Sequence, residues 1–117
     1  MHIYLNDLIF NGFHGVYPAE NKIGNTFKVD VRIQMTPATK TIHKLEDTID
    51  YVEVYALIKK IMVVPTPLLE TIVANIADQI LAAHSIAESV YVKITKLQLS
   101  VPYFEGTTSV SIERIRN

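Results

Sequence analysis

The chain has 117 residues, 49% of them hydrophobic and 20% charged, and a formal net charge of −1. That length suits one domain over residues 1–117 around one core, and near-neutral charge without a basic stripe argues against nucleic acid as the main partner. With no cysteine, disulfides and thiolate metal sites are excluded, as a reducing cytoplasmic setting allows.

From the first residue, Met1 to Phe13 reads as a strand with an irregularity. Ile3 and Leu5 share one phase and Leu8 and Phe10 the other, so a bulge near Asn6-Asp7 is expected. The segment lacks the basic region and apolar run of a secretory signal. Gly12, Gly15 and Pro18 mark a long turn region that continues to Gly24 and Asn25, with Glu20 in the loop. Phe27 to Met35 alternates cleanly: Phe27, Val29, Val31, Ile33 and Met35 face one way, Lys28, Asp30, Arg32 and Gln34 the other.

After Pro37 a polar connection leads to a helix over Tyr51–Met62, with Val54, Tyr55, Ile58, Ile61 and Met62 at helical spacing. Pro65 and Pro67 separate it from a second helix, for which Thr66 is the expected N-cap and Pro67 the first helical residue. Leu69, Ile72, Val73, Ile76, Ala77, Ile80 and Leu81 form its apolar stripe. A third strand runs from Ser89 to Leu97, and a fourth from Thr107 to Ile115 after a loop. No apolar run reaches the ~18 residues of a membrane span, so no membrane partner is expected. The order strand, strand, helix, helix, strand, strand predicts an α+β layer: a four-stranded antiparallel sheet with two helices on one face. Its other face, carrying Lys28, Arg32, Tyr91 and Lys93, is too mixed for a second core.

Lys96 stands out by phase. Its face of the third strand begins Val90, Val92, Ile94 and then ends in an ammonium group. Apolar surroundings disfavour a lysine's charged form, which suits proton transfer near neutral pH; a lysine at a strand end can equally snorkel to water. Glu70, in the first turns of the second helix, either complements the helix dipole or accepts two parallel N–H bonds from the edge of a pterin or guanine, as in an arginine–carboxylate fork. Tyr51 is an amphipathic residue at a helix start, or a proton donor or stacking wall. The four histidines show no metal-ligand spacing, and His14, between Phe13 and Gly15, reads as a hydrogen-bonded structural residue.

The runs Gly12-Phe13-His14-Gly15 and Glu20-Asn21-Lys22-Ile23-Gly24-Asn25-Thr26-Phe27-Lys28-Val29-Asp30-Val31 resemble the N-terminal signature of the dihydroneopterin aldolase family. Asp47-Thr48-Ile49-Asp50-Tyr51, Leu68-Leu69-Glu70 and Val92-Lys93-Ile94-Thr95-Lys96 follow in matching order, over nearly the whole chain. The resemblance implies the ββααββ tunnelling fold, whose sheets close into an oligomeric barrel, with two four-membered rings stacked as a homo-octamer. It implies that Glu70 anchors the pterin with Leu69 packed beside it, that Lys96 and Tyr51 are catalytic, and that Glu20 reaches the substrate side chain and a water. Ile49, Asp50 and Tyr51 would come from a neighbouring subunit.

The implied reaction splits 7,8-dihydroneopterin into 6-hydroxymethyl-7,8-dihydropterin and glycolaldehyde in folate biosynthesis, a cytoplasmic retro-aldol step needing no metal, cofactor or lysine Schiff base. The alternatives are an epimerase of dihydroneopterin or its triphosphate, and a pterin- or purine-binding module without catalysis. One departure is Gln98-Leu99 where the family often has a proline pair. The other is the apolar loop Val101-Pro102-Tyr103-Phe104-Glu105-Gly106; both bear on the pocket wall.

Overall fold

The structure, a computed structural model, describes residues 1–98, 103 and 105–117. Leu99, Val101, Pro102 and Phe104, which carry most of the departures in the pocket wall, lie outside the described residues. The elements are β1 (His2–Gly12), α1 (Pro18–Ile23), β2 (Asn25–Met35), α2 (Tyr51–Met62), α3 (Leu69–Ala83), β3 (Ala87–Lys96) and β4 (Thr108–Ile115). A single 3-10 turn at Leu45–Asp47 interrupts the polar connection before α2. The strands pair antiparallel, as the order of elements predicts, in the sequence β1-β2-β3-β4.

The sheet register follows from the side-chain pattern. A one-residue slip would turn the whole apolar set of β2 toward solvent. Phe27 pairs with Phe10 on one side and Lys96 on the other, and Val29 with Leu8 and Ile94. The pairing shifts between Leu5 and Leu8, where Asp7 takes a positive φ of 56°. This is the expected bulge: it returns Leu8 and Phe10 to the face that Ile3 and Leu5 occupy. The Asp30 carboxylate holds it by accepting the Asp7 N–H at 2.8 Å.

Both longer helices cover that face, α3 against β3 and β4 and α2 against α3 and β1. The core is Phe27, Val29, Val31, Ile33 and Met35 from β2 and Val90, Val92 and Ile94 from β3, packed under Val54, Ile58, Ile72, Val73, Ile76 and Ile80. Tyr55 stays at the rim, stacked on Phe10 at 5.8 Å between ring centroids. On the opposite face Arg32 lies over Tyr91 and reaches Glu113 at 3.1 Å, so the Arg32 charge is met within the sheet.

Two helix starts differ from expectation. The turn region before β2 contains α1, only six residues long with Pro18 in its first turn, too short for periodicity to reveal. α3 begins at Leu69 with Leu68 as N-cap residue, not at Pro67, because both peptide groups of Thr66 bond to the β1–α1 loop.

Ile76 lies fully buried between α3 and the sheet. Ile76→Ala is expected to cost about 2–5 kcal/mol, by lost transfer energy plus the cavity left behind. Urea unfolding with an unchanged m value reads this directly; a loss below about 1 kcal/mol would mean that the site collapses and is not core.

Candidate active site

Lys96 ends β3 on the helix-covered face, opposite Phe27 and Thr108. It does not snorkel: its side chain is only 13% exposed. Its Nζ donates to Glu20 Oε2, forming an ion pair with a carboxylate that is itself 7% exposed. A buried acid and a half-buried base from segments 76 residues apart therefore meet at the end of the core.

The local sequence explains how Glu20 gets there. Pro18 starts α1 with a preset φ, and the helix turns Glu20 inward, where Oε1 also accepts the Tyr17 N–H at 3.4 Å. Gly15 supplies the room: it holds a φ of +152°, and a Cβ there would lie 2.5 Å from the Glu20 carboxyl carbon and Oε1. With its amide nitrogen turned inward, Asn21 donates to the carbonyls of Phe13 at 3.1 Å and Gly15 at 3.2 Å, fastening the loop. Burial by itself raises the Glu20 pKa. The Lys96 hydrogen bond, the Tyr17 N–H and the Lys96 charge outweigh it, so the carboxyl sits below its ordinary value of 4.5. Glu20, a loop acid by sequence, is thus an ionised, buried carboxylate.

Glu70 is exposed in the first turn of α3, while Leu69 before it is buried. That helix start is tied to the loop leading into α1, which carries Glu20. The Gly15 N–H donates to the Thr66 carbonyl at 3.1 Å, and the Thr66 N–H donates to His14 Nδ1 at 3.1 Å. Glu20, Lys96, Leu69 and Glu70 thus belong to one connected end of the molecule, with an acid–base pair inside and a carboxylate acceptor outside.

Ile49, Asp50 and Tyr51 lie elsewhere in the chain. Ile49 is buried in the core, and Asp50 caps α2 by accepting the Val52 N–H at 2.9 Å. Tyr51 is 65% exposed and lines an apolar groove of about 500 Å³ with Tyr4, Leu5, Leu8, Val52 and Tyr55. Neither Lys96, Glu20 nor Glu70 lines this groove, and among the described residues Tyr51 makes no hydrogen bond to any of them. The positioning parts that sequence reading missed are Gly15, Asn21 and Thr66. Gly-rich spacing hinted at the first, but only the fold shows what the other two touch.

The family model for dihydroneopterin aldolase (FolB) matches residues 3–113. The dihydroneopterin aldolase of Bacillus subtilis is 33% identical over 115 residues, covering 96% of this chain and 95% of its own. The crystal structure of Escherichia coli dihydroneopterin aldolase in complex with neopterin superposes with a TM-score of 0.83 at 19% identity, covering 97% of this chain and 98% of that one. That of the Burkholderia thailendensis dihydroneopterin aldolase bound to guanine gives 0.79 at 20% identity, covering 100% and 92%. The structures share the fold, and the sequence match runs from Ile3 in β1 to Glu113 in β4 through α1, both longer helices and Lys96; the chain belongs to the dihydroneopterin aldolase family.

Proposed function

We propose that this chain is a dihydroneopterin aldolase, a lyase of folate biosynthesis that splits 7,8-dihydroneopterin into 6-hydroxymethyl-7,8-dihydropterin and glycolaldehyde. The observation that carries this reading is the part-buried Glu20–Lys96 pair at the end of the apolar face, in a chain of this family. Exposed Glu70 supplies the complementary half. Neopterin and guanine, bound by two structural relatives, both present an amino group beside a ring N–H, and a carboxylate accepts such a pair as a fork.

The retro-aldol step breaks the bond between the first two carbons of the substrate side chain. The second carbon's hydroxyl loses its proton as that carbon becomes the aldehyde, and the bonding pair moves into the adjacent ring imine. In our assignment Lys96 acts as the neutral amine, after giving up its ammonium proton to solvent, and takes the hydroxyl proton through a water, while Glu20 places the side chain and that water. Glu70 fixes the ring with Leu69 beside it. Tyr51 returns a proton to the enol-like ring intermediate, with Ile49 and Asp50 shaping its side of the pocket.

Since Tyr51 stands apart from Lys96 within one chain, the site is completed by a neighbouring copy. Two features support this. β1 and β4 are edge strands, whose unpaired backbone groups invite pairing with another chain, and the Tyr51 groove is apolar and open. Joining β1 of one copy to β4 of the next closes a ring of four, and two stacked rings make the octamer.

Incubating the protein with 7,8-dihydroneopterin and separating products by chromatography tests the function. Glycolaldehyde and the hydroxymethyl product are expected. A side-chain epimer without glycolaldehyde would make the chain an epimerase, and no product a binding module. Lys96→Ala is expected to lower the single-turnover rate by about 10²–10⁴-fold, the usual contribution of a positioned acid–base group, with a smaller change in substrate affinity. Glu70→Ala is expected to weaken binding more than the bound rate. Unchanged chemistry in the Lys96 variant would sink its assignment.

The same pair predicts a pH dependence of stability. The Glu20 pKa is lower in the folded chain than its ordinary 4.5, so the unfolded chain binds the proton more readily. The pair's contribution is therefore full above about pH 4.5 and is lost as pH falls through the depressed folded value. Unfolding midpoints from pH 7 to pH 3 should fall more steeply below pH 4.5 for the parent than for Glu20→Gln; parallel curves would refute the ionised pair.

A further inference from the structure

His14 is fully buried, yet no step assigned above uses it. Its Nδ1 accepts the Thr66 N–H at 3.1 Å, so the neutral ring carries its proton on Nε2. Nε2 makes no hydrogen bond of full geometry among the described residues, the Met62 backbone being only near enough to favour the charged ring. The ring tilts against Phe27 at 5.1 Å between centroids, and Phe27 is the strand partner of Lys96. Gly12 presses on its edge, where a Cβ would lie 2.7 Å from both Cδ2 and Nε2. Burial pushes the ring's pKa below 6.5, and the Met62 backbone opposes this only in part.

An aliphatic side chain could fill this space without stranding a buried N–H, which is costly. What the imidazole adds is the Nδ1 acceptor. His14 and Gly15 together bind both peptide groups of Thr66. On the far side of Thr66, Pro67-Leu68-Leu69 leads into Glu70; on the near side, Gly15 packs on the Glu20 carboxyl, which holds Lys96. The distance from Glu70 to the Glu20–Lys96 pair is thus set through this double clasp.

We propose that His14 is a positioning residue for the Glu70 carboxylate: by holding Thr66 through Nδ1, it fixes the ring anchor relative to the Glu20–Lys96 pair without touching substrate. This rests on reading Glu70 as the pterin anchor.

The test compares His14→Leu, which deletes the acceptor, with His14→Asn, whose side-chain oxygen falls near the place of Nδ1. KM and kcat for 7,8-dihydroneopterin are measured for each, for Glu70→Ala, and for the His14→Leu/Glu70→Ala double variant, with circular dichroism and assembly size confirming the fold. His14→Leu is expected to raise KM about tenfold with kcat within about threefold, and His14→Asn to restore KM. In the double variant His14→Leu should add little to Glu70→Ala, because both act on one contact. A loss confined to kcat, or a fully additive double variant, overturns the proposal. An unchanged KM in Glu70→Ala overturns the anchor reading, and this proposal with it. If His14→Leu does not fold, His14→Gln, whose oxygen reaches toward Nε2, takes its place with the same expectations; failure of both to fold makes His14 a folding residue and also overturns the proposal.

Discussion

The part-buried ion pair between Glu20 and Lys96 is the constraint on which the rest of the site depends. Taking two charges out of water costs several kcal/mol each, and their attraction offsets this only with good geometry and further hydrogen bonds. Each surrounding feature supplies part of that geometry. Pro18 starts the short helix that turns Glu20 inward, Gly15 leaves space for the carboxyl, and the Tyr17 N–H satisfies its second oxygen. Lys96 contributes by strand phase alone: it follows Val90, Val92 and Ile94 on the core face, where a non-polar residue would have extended the core. Such a pair adds little net stability compared with an apolar filling.

The pair is also where two halves of the chain are joined. The β1–α1 loop leads into α1, which brings Glu20, and the α2–α3 linker leads into α3, which brings Glu70. His14 and Gly15 bind the linker through both peptide groups of Thr66. That clasp explains why α3 starts at Leu69 rather than at Pro67: a residue whose N–H and carbonyl are already engaged outside the helix is not available as its cap. A local preference for Thr at an N-cap and Pro after it yields here to a tertiary contact that orders the site.

Legibility in the sequence tracked the range of the interaction concerned. The strands are plain from alternation, and the bulge at Asn6-Asp7 from a single phase reversal, because each is encoded within a few neighbouring residues. α2 falls at Tyr51–Met62 as its spacing predicts, with Asp50 as its cap. α1 was not legible, since six residues are too few for a 3.6-residue period to repeat convincingly and isolated short helices are not stable by propensity alone. Of the site residues, Lys96 announced itself by violating a pattern. Glu20 looked like an ordinary loop acid until the ordered family runs gave it context, and Glu70 read either as a dipole-complementing acid or as the acceptor of a fork. The burial of Glu20 could not be read locally, since it depends on Lys96, 76 residues away.

The sequence by itself therefore determined the α+β layering, the faces of each strand and the apolar stripes of the two longer helices, because periodicity is a property of adjacent residues. It also determined the family, because the ordered runs persist along nearly the whole chain. Only the tertiary structure decided that Glu20 and Lys96 form one part-buried pair, that Thr66 serves the β1–α1 loop rather than α3, and that Tyr51 lies on a separate groove beside β1. The physical reason is common to all three. Whether a carboxylate, an ammonium or a peptide group is paired depends on which distant segment fills the space beside it, and that becomes fixed only when the sheet register and helix packing close around it.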